Sequence, residues 1–476
     1  MSAAIDADIC VIGAGSGGLS VAAGASQLGM KTVLIERGRR GGDCLNFGCV
    51  PSKSLLAAAK RMRLARDNPG FGLSGALPAV DFPRVMRHVQ DVIAAIAPHD
   101  SVERFTGMGV EVVAAAARFA GPREVLAGDR SVRARRIVIA TGSMPSAPPI
   151  PGLKDVAFLT NETVFENRVL PEHLIVIGGG PIGLEMAQAH RLLGARVTVL
   201  EAARVMAKDD PELAGLLVER LRADGVAIEE GAQIRRIEGA AGRIAVVLEE
   251  GAGERRIEGT HLLVAAGRRA NLQGLDLEKA GIAIDARGAL VVDRRLRTTN
   301  RRVFAVGDAA GGPQFTHVAG YHAAIVIRNA LFRLPAKVDY RALPWVTYTE
   351  PELAQVGMTE ADALRAHPGD VEVLRWSFHE NDRAQAERET HGLVKVMARR
   401  NGRVLGASII GAHAGELIQS WGLAISGGLK LATIAGMIAP YPTLGEVSKR
   451  AAGSFFTPKL FSDRTRRLVR LLAKLG

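Results

Sequence analysis

The chain has 476 residues, 47% of them hydrophobic, 23% charged and 4% aromatic, with 61 Lys and Arg against 49 Asp and Glu. At about 150 residues per domain this is enough for roughly three domains with substantial cores, which excludes a disulfide-stapled mini-protein and a disordered chain. The net charge of +12 permits attraction to phosphorylated cofactors, nucleic acid or anionic lipid, but few aromatics and no zinc-finger spacing speak against nucleic acid as a partner.

No run of about 18 apolar residues offers a membrane span, and Met1 to Asp8 lacks the basic and apolar regions of a signal peptide, so a cytoplasmic protein is expected. The first element is an apolar run, Asp8 to Ile12, which enters Gly13-Ala14-Gly15-Ser16-Gly17-Gly18, passes through a helix-compatible stretch and returns as Lys31 to Ile35, ending at Glu36. The same grammar recurs as Leu174 to Ile177, then Gly178-Gly179-Gly180-Pro181-Ile182-Gly183, then Ala195 to Leu200 and Glu201. Strand, glycine turn, helix, strand and carboxylate is the pattern of a dinucleotide-binding unit, and two copies predict two nucleotides on one chain. Gly13, Gly15 and Gly18, and Gly178, Gly180 and Gly183, let the backbone approach a pyrophosphate at a helix N-terminus. Glu36 and Glu201 would accept hydrogen bonds from ribose hydroxyls; at the second copy a carboxylate repels a 2'-phosphate, which favours NAD over NADP, although Arg204 and Lys208 lie downstream.

Immediately after the first carboxylate comes Gly41-Gly42-Asp43-Cys44-Leu45-Asn46-Phe47-Gly48-Cys49-Val50-Pro51-Ser52-Lys53. Two cysteines at this spacing do not share a face of a regular helix, but a bent helix start can bring their sulfurs together. Pro51 suits a first helical turn, which puts Cys49 at a positive helix end where a thiolate is favoured. Three cysteines and no histidine at short spacing leave no ligand set for a metal, and Cys10, inside the first strand, is expected in the core. Further along, Val132 to Ala140 reads as a strand ending at Thr141-Gly142, Pro145 to Pro151 as a crossing between domains, Leu262 to Ala266 as a strand ending at Gly267, and Val303 to Val306 as a strand ending at Gly307-Asp308. Strand-like Val371 to Phe378, Leu393 to Ala398 and Val404 to Gly411, with the helical stretch Glu416 to Ile425, indicate a third, α+β domain.

The segment GGDCLNFGCVPSK resembles the redox-disulfide signature of the class I flavoprotein disulfide reductases, the family of lipoamide dehydrogenase, glutathione reductase and mercuric reductase. The resemblance spans nearly the whole chain. It implies an α/β protein with FAD-binding residues 1–150 and 271–345, an NAD(P)-binding domain at 151–270 and a C-terminal α+β dimerisation domain at 346–476. Gly13, Gly15, Gly18, Glu36, Gly42, Lys53, Thr141, Gly142, Gly267, Gly307 and Asp308 would hold FAD, while Gly178, Gly180, Gly183 and Glu201 would hold NAD. Electrons would pass from NADH through FAD to a Cys44–Cys49 disulfide, with Cys49 facing the flavin, Cys44 facing the acceptor, and Lys53 paired with Glu185 near the flavin. A homodimer is implied as well.

The chain departs from this pattern at Ala439-Pro440-Tyr441-Pro442-Thr443-Leu444-Gly445-Glu446. Lipoamide dehydrogenase and glutathione reductase have a histidine where this chain has Tyr441, held by a glutamate that matches Glu446. A phenol with a reference pKa of about 10 is a poor base near neutral pH, so lipoamide turnover is not expected to be efficient. The tyrosine resembles mercuric reductase, but no cysteine follows Cys49, so the C-terminal cysteine pair of that enzyme is missing. The acceptor is left open among a disulfide, a metal ion and a quinone, and a flavin-carrying redox sensor is the reading without turnover. His317 and His322 are expected beside the flavin or in the core. Arg464 to Leu475 forms a basic amphipathic helix, with Leu468, Leu471, Leu472 and Leu475 on one side and Arg466, Arg467, Arg470 and Lys474 on another; it either packs on the domain or touches membrane.

Overall fold

The computed structural model describes residues 4–240, 242–251 and 253–475; the outer ends of the expected first and last segments, 1–3 and 476, lie outside the described residues. The chain forms two compact units, one of residues 1–178, 192–196 and 233–338, the other of residues 179–191, 197–232 and 339–476.

The first unit is organised by the strand Ile5–Ile12, whose Ile9, Cys10 and Val11 have no solvent exposure. A strand so apolar on both faces belongs inside a parallel sheet covered on both sides. It lies between Thr32–Glu36 and Arg130–Ile139, both parallel to it, with Cys10 opposite Val33 and Ile137. Val110–Ala114 and Val303–Ala305 add parallel strands outside these neighbours, and Glu124–Ala127 and Ala117–Gly121 continue the sheet antiparallel. Ile12, Glu36, Ile139 and Ala305 thus end at one edge, the carboxyl edge at which open α/β sheets take ligands. The helix Ser16–Gln27 buries Leu19, Val21, Ala22 and Ala25 and packs against the helix Thr316–Ala330. In the same unit His173–Ile177 pairs parallel with His261–Val264, and Ile234–Ala240, Arg243–Glu250 and Gly253–Gly259 form an antiparallel meander. Sequence reading did not anticipate that meander, whose charged outer face masks its period of two.

The second unit contains the helix Pro181–Leu192, the parallel strands Arg196–Glu201 and Val226–Glu230, and an antiparallel sheet in the order Pro344–Thr347, Glu352–Gly357, Val404–Gly411, Leu393–Arg399, Val371–Ser377. The expected C-terminal strands and the helix Ala414–Ser426 are all found. Their core is built on Trp421, Phe378, Val394, Ile409 and Val447, and the Trp421 indole donates to Ser448 Oγ at 3.0 Å. Lys395, on the strand Leu393–Arg399, is buried with its ammonium 2.8 Å from both Asp210 and Glu212. Asp210 also caps the helix Pro211–Ala223 by accepting from Glu212 N, so the cap and the ion pair fix that helix against the sheet within this unit.

Candidate active site

The two glycine turns have the same local geometry. At Gly13, φ is +107° and a Cβ would sit 2.4 Å from the Ala140 carbonyl oxygen; at Gly178, φ is +116° and a Cβ would sit 2.5 Å from the Ala265 oxygen. Each turn therefore passes directly against the end of the neighbouring strand, an approach only glycine allows. Glu36 Oε2 accepts from Ala14 N at 2.6 Å and Oε1 from Gly38 N at 2.7 Å. Glu201 repeats this, accepting from Gly179 N at 2.7 Å and Ala203 N at 2.9 Å. In both copies the carboxylate is locked to the glycine loop, while each oxygen keeps a lone pair for a ribose hydroxyl. The division between units falls between Gly178 and Gly179, so Gly178 lies in the first unit, and Gly180, Gly183 and Glu201 in the second.

The residues expected to meet FAD converge within the first unit. A cavity at the carboxyl edge of its sheet is lined by Gly13, Glu36, Thr141, Asn271 and Gly274. The Thr141 hydroxyl is buried there without a hydrogen-bond partner among the described residues. Orphaned buried polar atoms of this kind require a partner, and the polar, nucleotide-bearing half of FAD supplies acceptors and hydroxyls, so these residues fit the cofactor. Gly142 and Gly267 are brought together, since Gly142 O accepts from Asn271 N and Gly267 O from Ser146 N, framing the strand pair Ser143–Pro145 and Arg268–Ala270.

The cysteine segment folds as two helices, Gly42–Asn46 and Cys49–Asp67, with the break at Phe47-Gly48. Gly41 N–H donates to Ala14 O at 2.9 Å, tying this segment to the first glycine turn, and Gly42 lies so close to Gly15 that a Cβ would be 2.7 Å from its Cα. A Cβ on Gly48 would be 3.4 Å from Cys44 Cα and 3.1 Å from Asp43 O; the missing side chain lets the chain reverse and brings Cys49 beside Cys44. Both cysteines are thiols here. Cys49 opens a long helix, as expected, where the helix dipole favours a thiolate, and its Sγ is 3.5 Å from Thr316 Oγ1. The hydrogen bond between the two sulfurs, followed by burial, holds the Cys44 thiol well above its ordinary range, with the Thr316 hydroxyl opposing. In the dithiol state Cys44 therefore keeps its proton. Cys10, by contrast, is fully buried and burial alone pushes its thiol up to about 12, so it is an inert core residue.

Asp308 is connected to the cysteine segment through a chain that sequence reading missed. Ser143 Oγ donates to Asp308 Oδ2 at 2.5 Å and accepts from Arg268 Nε at 2.8 Å; Arg268 Nη2 lies 3.0 Å from Asp43 Oδ1, which also accepts from Asn161 Nδ2 at 3.0 Å. Burial raises the Asp308 carboxyl above its usual range, against the Ser143 bond and Arg268. These partners are more than a hundred residues apart along the chain, and no local pattern signals them.

His317 and His322 part company. His322 is fully buried, its Nδ1 accepting from Gly307 N at 3.1 Å, and burial lowers its pKa to about 4. His317 is exposed and stacks on Phe315 with ring centroids 5.2 Å apart, so of the two only His322 lies in the core. Five residues advance a helix by about 140°, so one histidine faces the sheet and the other faces away. An unfolded histidine titrates near 6.5. Folding favours neutral His322, so its contribution is complete above pH 6.5 and is lost as the pH falls through about 4, a window of about 3 kcal/mol. Thermal melts from neutral to mildly acidic pH are expected to show a steeper loss of Tm for the native chain than for His322→Asn; parallel curves would refute this.

Lys53 sits on the second cysteine helix, its Nζ donating to Ser52 Oγ at 3.3 Å. In the second unit Glu185 is buried on the helix Pro181–Leu192 and its Oε1 accepts from Tyr348 N at 2.9 Å. Tyr441 is exposed, and its hydroxyl donates to Asp382 Oδ2 at 2.7 Å. Glu446, expected from the family pattern as the partner of this position, starts the helix Glu446–Ser454. The hydrogen bond to Asp382 and its charge, with a smaller effect of Glu446, raise the Tyr441 pKa above the usual phenol value. The phenol is thus held as a protonated donor at neutral pH, the opposite of a base.

Residues 7–323 match the family described as Pyridine nucleotide-disulphide oxidoreductase, and residues 343–452 match its dimerisation domain. Similar curated proteins include a mercuric reductase of Streptomyces lividans, 38% identical with 94% of this chain and 96% of the relative covered. A dihydrolipoyl dehydrogenase of Geobacillus stearothermophilus is 34% identical, with 94% and 96% covered. Among solved structures, a Cu(II) complex of the HOCl-induced flavoprotein disulfide reductase RclA from Escherichia coli is similar with a TM-score of 0.84 at 28% identity, covering 93% of this chain and 99% of that one.

Proposed function

The chain belongs to the pyridine nucleotide-disulphide oxidoreductase family and carries its dimerisation domain, and from that membership we propose that it moves electrons from NADH through FAD to Cys44 and Cys49, and onward to a thiol-binding metal ion in preference to lipoamide. At family level it is an FAD-dependent disulfide oxidoreductase type of enzyme. In this reading residues 1–150 and 271–345 hold FAD, 151–270 hold NAD, and 346–476 form the contact of a homodimer.

FAD, when bound, couples hydride chemistry at the nicotinamide to electron delivery at sulfur. Gly13, Gly15, Gly18, Glu36, Thr141 and Asp308 would bind and orient it; Gly42, Gly142, Gly267 and Gly307 would shape the walls; Lys53 would offer a positive charge. NADH gives up two electrons and a proton, and with one proton from solvent these convert a Cys44–Cys49 disulfide into two thiols. The acceptor then takes two electrons as the disulfide re-forms and two protons leave the sulfurs. A mercury(II) ion would take both electrons, and two copper(II) ions one each. The observation that carries the choice of acceptor is Tyr441 donating to Asp382. Thiol–disulfide exchange with lipoamide needs a group that takes and returns a proton near neutral pH, whereas a thiophilic ion binds two sulfurs and releases their protons to water. Similarity to a mercuric reductase and to a copper-bound disulfide reductase supports the same choice.

The test is anaerobic reduction of the FAD-loaded protein by NADH, followed by reoxidation with lipoamide, mercury(II) or copper(II). Slow reoxidation by lipoamide and fast reoxidation by an ion is the expected result; rapid lipoamide turnover at neutral pH overturns it, and fast NADH reduction with no acceptor points to a redox sensor. Tyr441→His is expected to raise lipoamide turnover at least about tenfold, with an inflection near pH 6.5 that the native chain lacks. Glu201, fixed by two backbone bonds, leads to an expected preference in kcat/KM for NADH over NADPH of at least about tenfold; parity of the two cofactors would remove its role in specificity.

A further inference from the structure

Sequence left two fates open for the terminal helix, and packing on its own unit is not the one adopted. The helix Asp463–Leu472 has no buried residue. Leu468, Leu471 and Leu472 are 53%, 60% and 53% exposed, and Leu475 just beyond is 79% exposed. Its start is nevertheless well fixed: Ser462 caps it by accepting from Thr465 N at 3.3 Å, and Thr465 Oγ1 donates to Lys459 O at 2.8 Å. At 100° per residue the four leucines span one face, while Arg466, Arg467, Arg470 and Lys474 cluster on the opposite one. A helix this short is marginal in water without a surface to receive its apolar side.

We propose that this helix docks the protein on an anionic phospholipid surface, with the leucine face at the acyl boundary and the basic side chains reaching the phosphates. Charge selects this occupant. From Asp463 to Leu475 there are five basic residues, including Arg464, and Asp463 is the one acid. Two copies of so cationic a segment repel each other, whereas an anionic membrane attracts each Lys or Arg close to its surface, roughly fivefold in binding per residue. Leu460 and Phe461, immediately before the cap, are 58% and 65% exposed and add apolar area. None of these residues belongs to the redox site, so docking and turnover are separable.

The experiment is sedimentation of the FAD-loaded full-length protein with vesicles of phosphatidylcholine alone, or mixed with phosphatidylglycerol, at low and high salt. The native chain is expected to bind the anionic vesicles at least about tenfold more tightly than the neutral ones, and less at high salt. Leu468→Glu with Leu472→Glu is expected to lower that binding at least about tenfold, and Arg466→Gln with Arg467→Gln by a comparable factor, both with unchanged NADH reduction of the flavin. No binding to anionic vesicles overturns the proposal, as does binding that survives the leucine substitutions. Loss of dimer mass in the leucine variant without vesicle binding by the native chain would assign the helix to a contact between copies and overturn it equally.

Discussion

Cys44→Ser is expected to abolish acceptor reduction, by at least about 10³-fold, while NADH still reduces the bound flavin at a rate close to that of the native protein. The two halves of this result separate because the cysteines lie downstream of hydride transfer: serine keeps the shape of the segment but cannot form the sulfur–sulfur bond that stores two electrons. Cys49→Ser is expected to lose acceptor reduction equally, since either substitution leaves one thiol. Thiol titration gives an independent count. The native chain, first oxidised, should gain two reactive thiols on NADH treatment, and the third, Cys10, should react only after unfolding because it is fully buried with its pKa pushed to about 12. Retention of half or more of the acceptor turnover in Cys44→Ser would mean that electrons leave from the flavin directly. The pair would then be structural.

What sequence made legible were features whose partners lie within a few turns of chain. The spacing from Gly13 to Glu36 located a turn and a carboxylate that the structure joins through Ala14 N and Gly38 N, and the same spacing located Glu201. The two cysteines could be read because their approach depends on the four residues between them, above all Gly48. Asp382 was not legible: it meets Tyr441 across 59 residues, and an aspartate in the first turn of a short helix has the ordinary sequence context of a cap. Arg268 was seen within a family segment, but its link to Asp43 crosses the fold. The tail was legible as amphipathic, and no sequence pattern could say whether a complementary groove existed for it; the exposure of Leu468, Leu471 and Leu472 answers that for its own unit.

Gly13→Ala is expected to yield protein that does not retain FAD, with affinity lowered at least about 100-fold and stability reduced by about 3 kcal/mol or more. Two effects act together. The residue has φ of +107°, which an alanine adopts only under strain, and the new Cβ would lie 2.4 Å from the Ala140 oxygen and 3.1 Å from Thr141 N, both backbone atoms that cannot swing aside. Relief requires the glycine turn to move away from the strand Arg130–Ile139. That shift would draw Ala14 N from Glu36, now 2.6 Å apart, and open the cavity around Thr141. The cofactor's loss is therefore expected to exceed the loss of fold: far-UV circular dichroism near native, no flavin absorbance after gel filtration, and no rescue by excess NADH. Gly267, also at positive φ of +137° but with open space where its Cβ would be, provides the comparison. Gly267→Ala carries the strain without the collision and is expected to keep most of its FAD; equal loss in both variants would show that backbone strain, and not the approach to Ala140, governs the site.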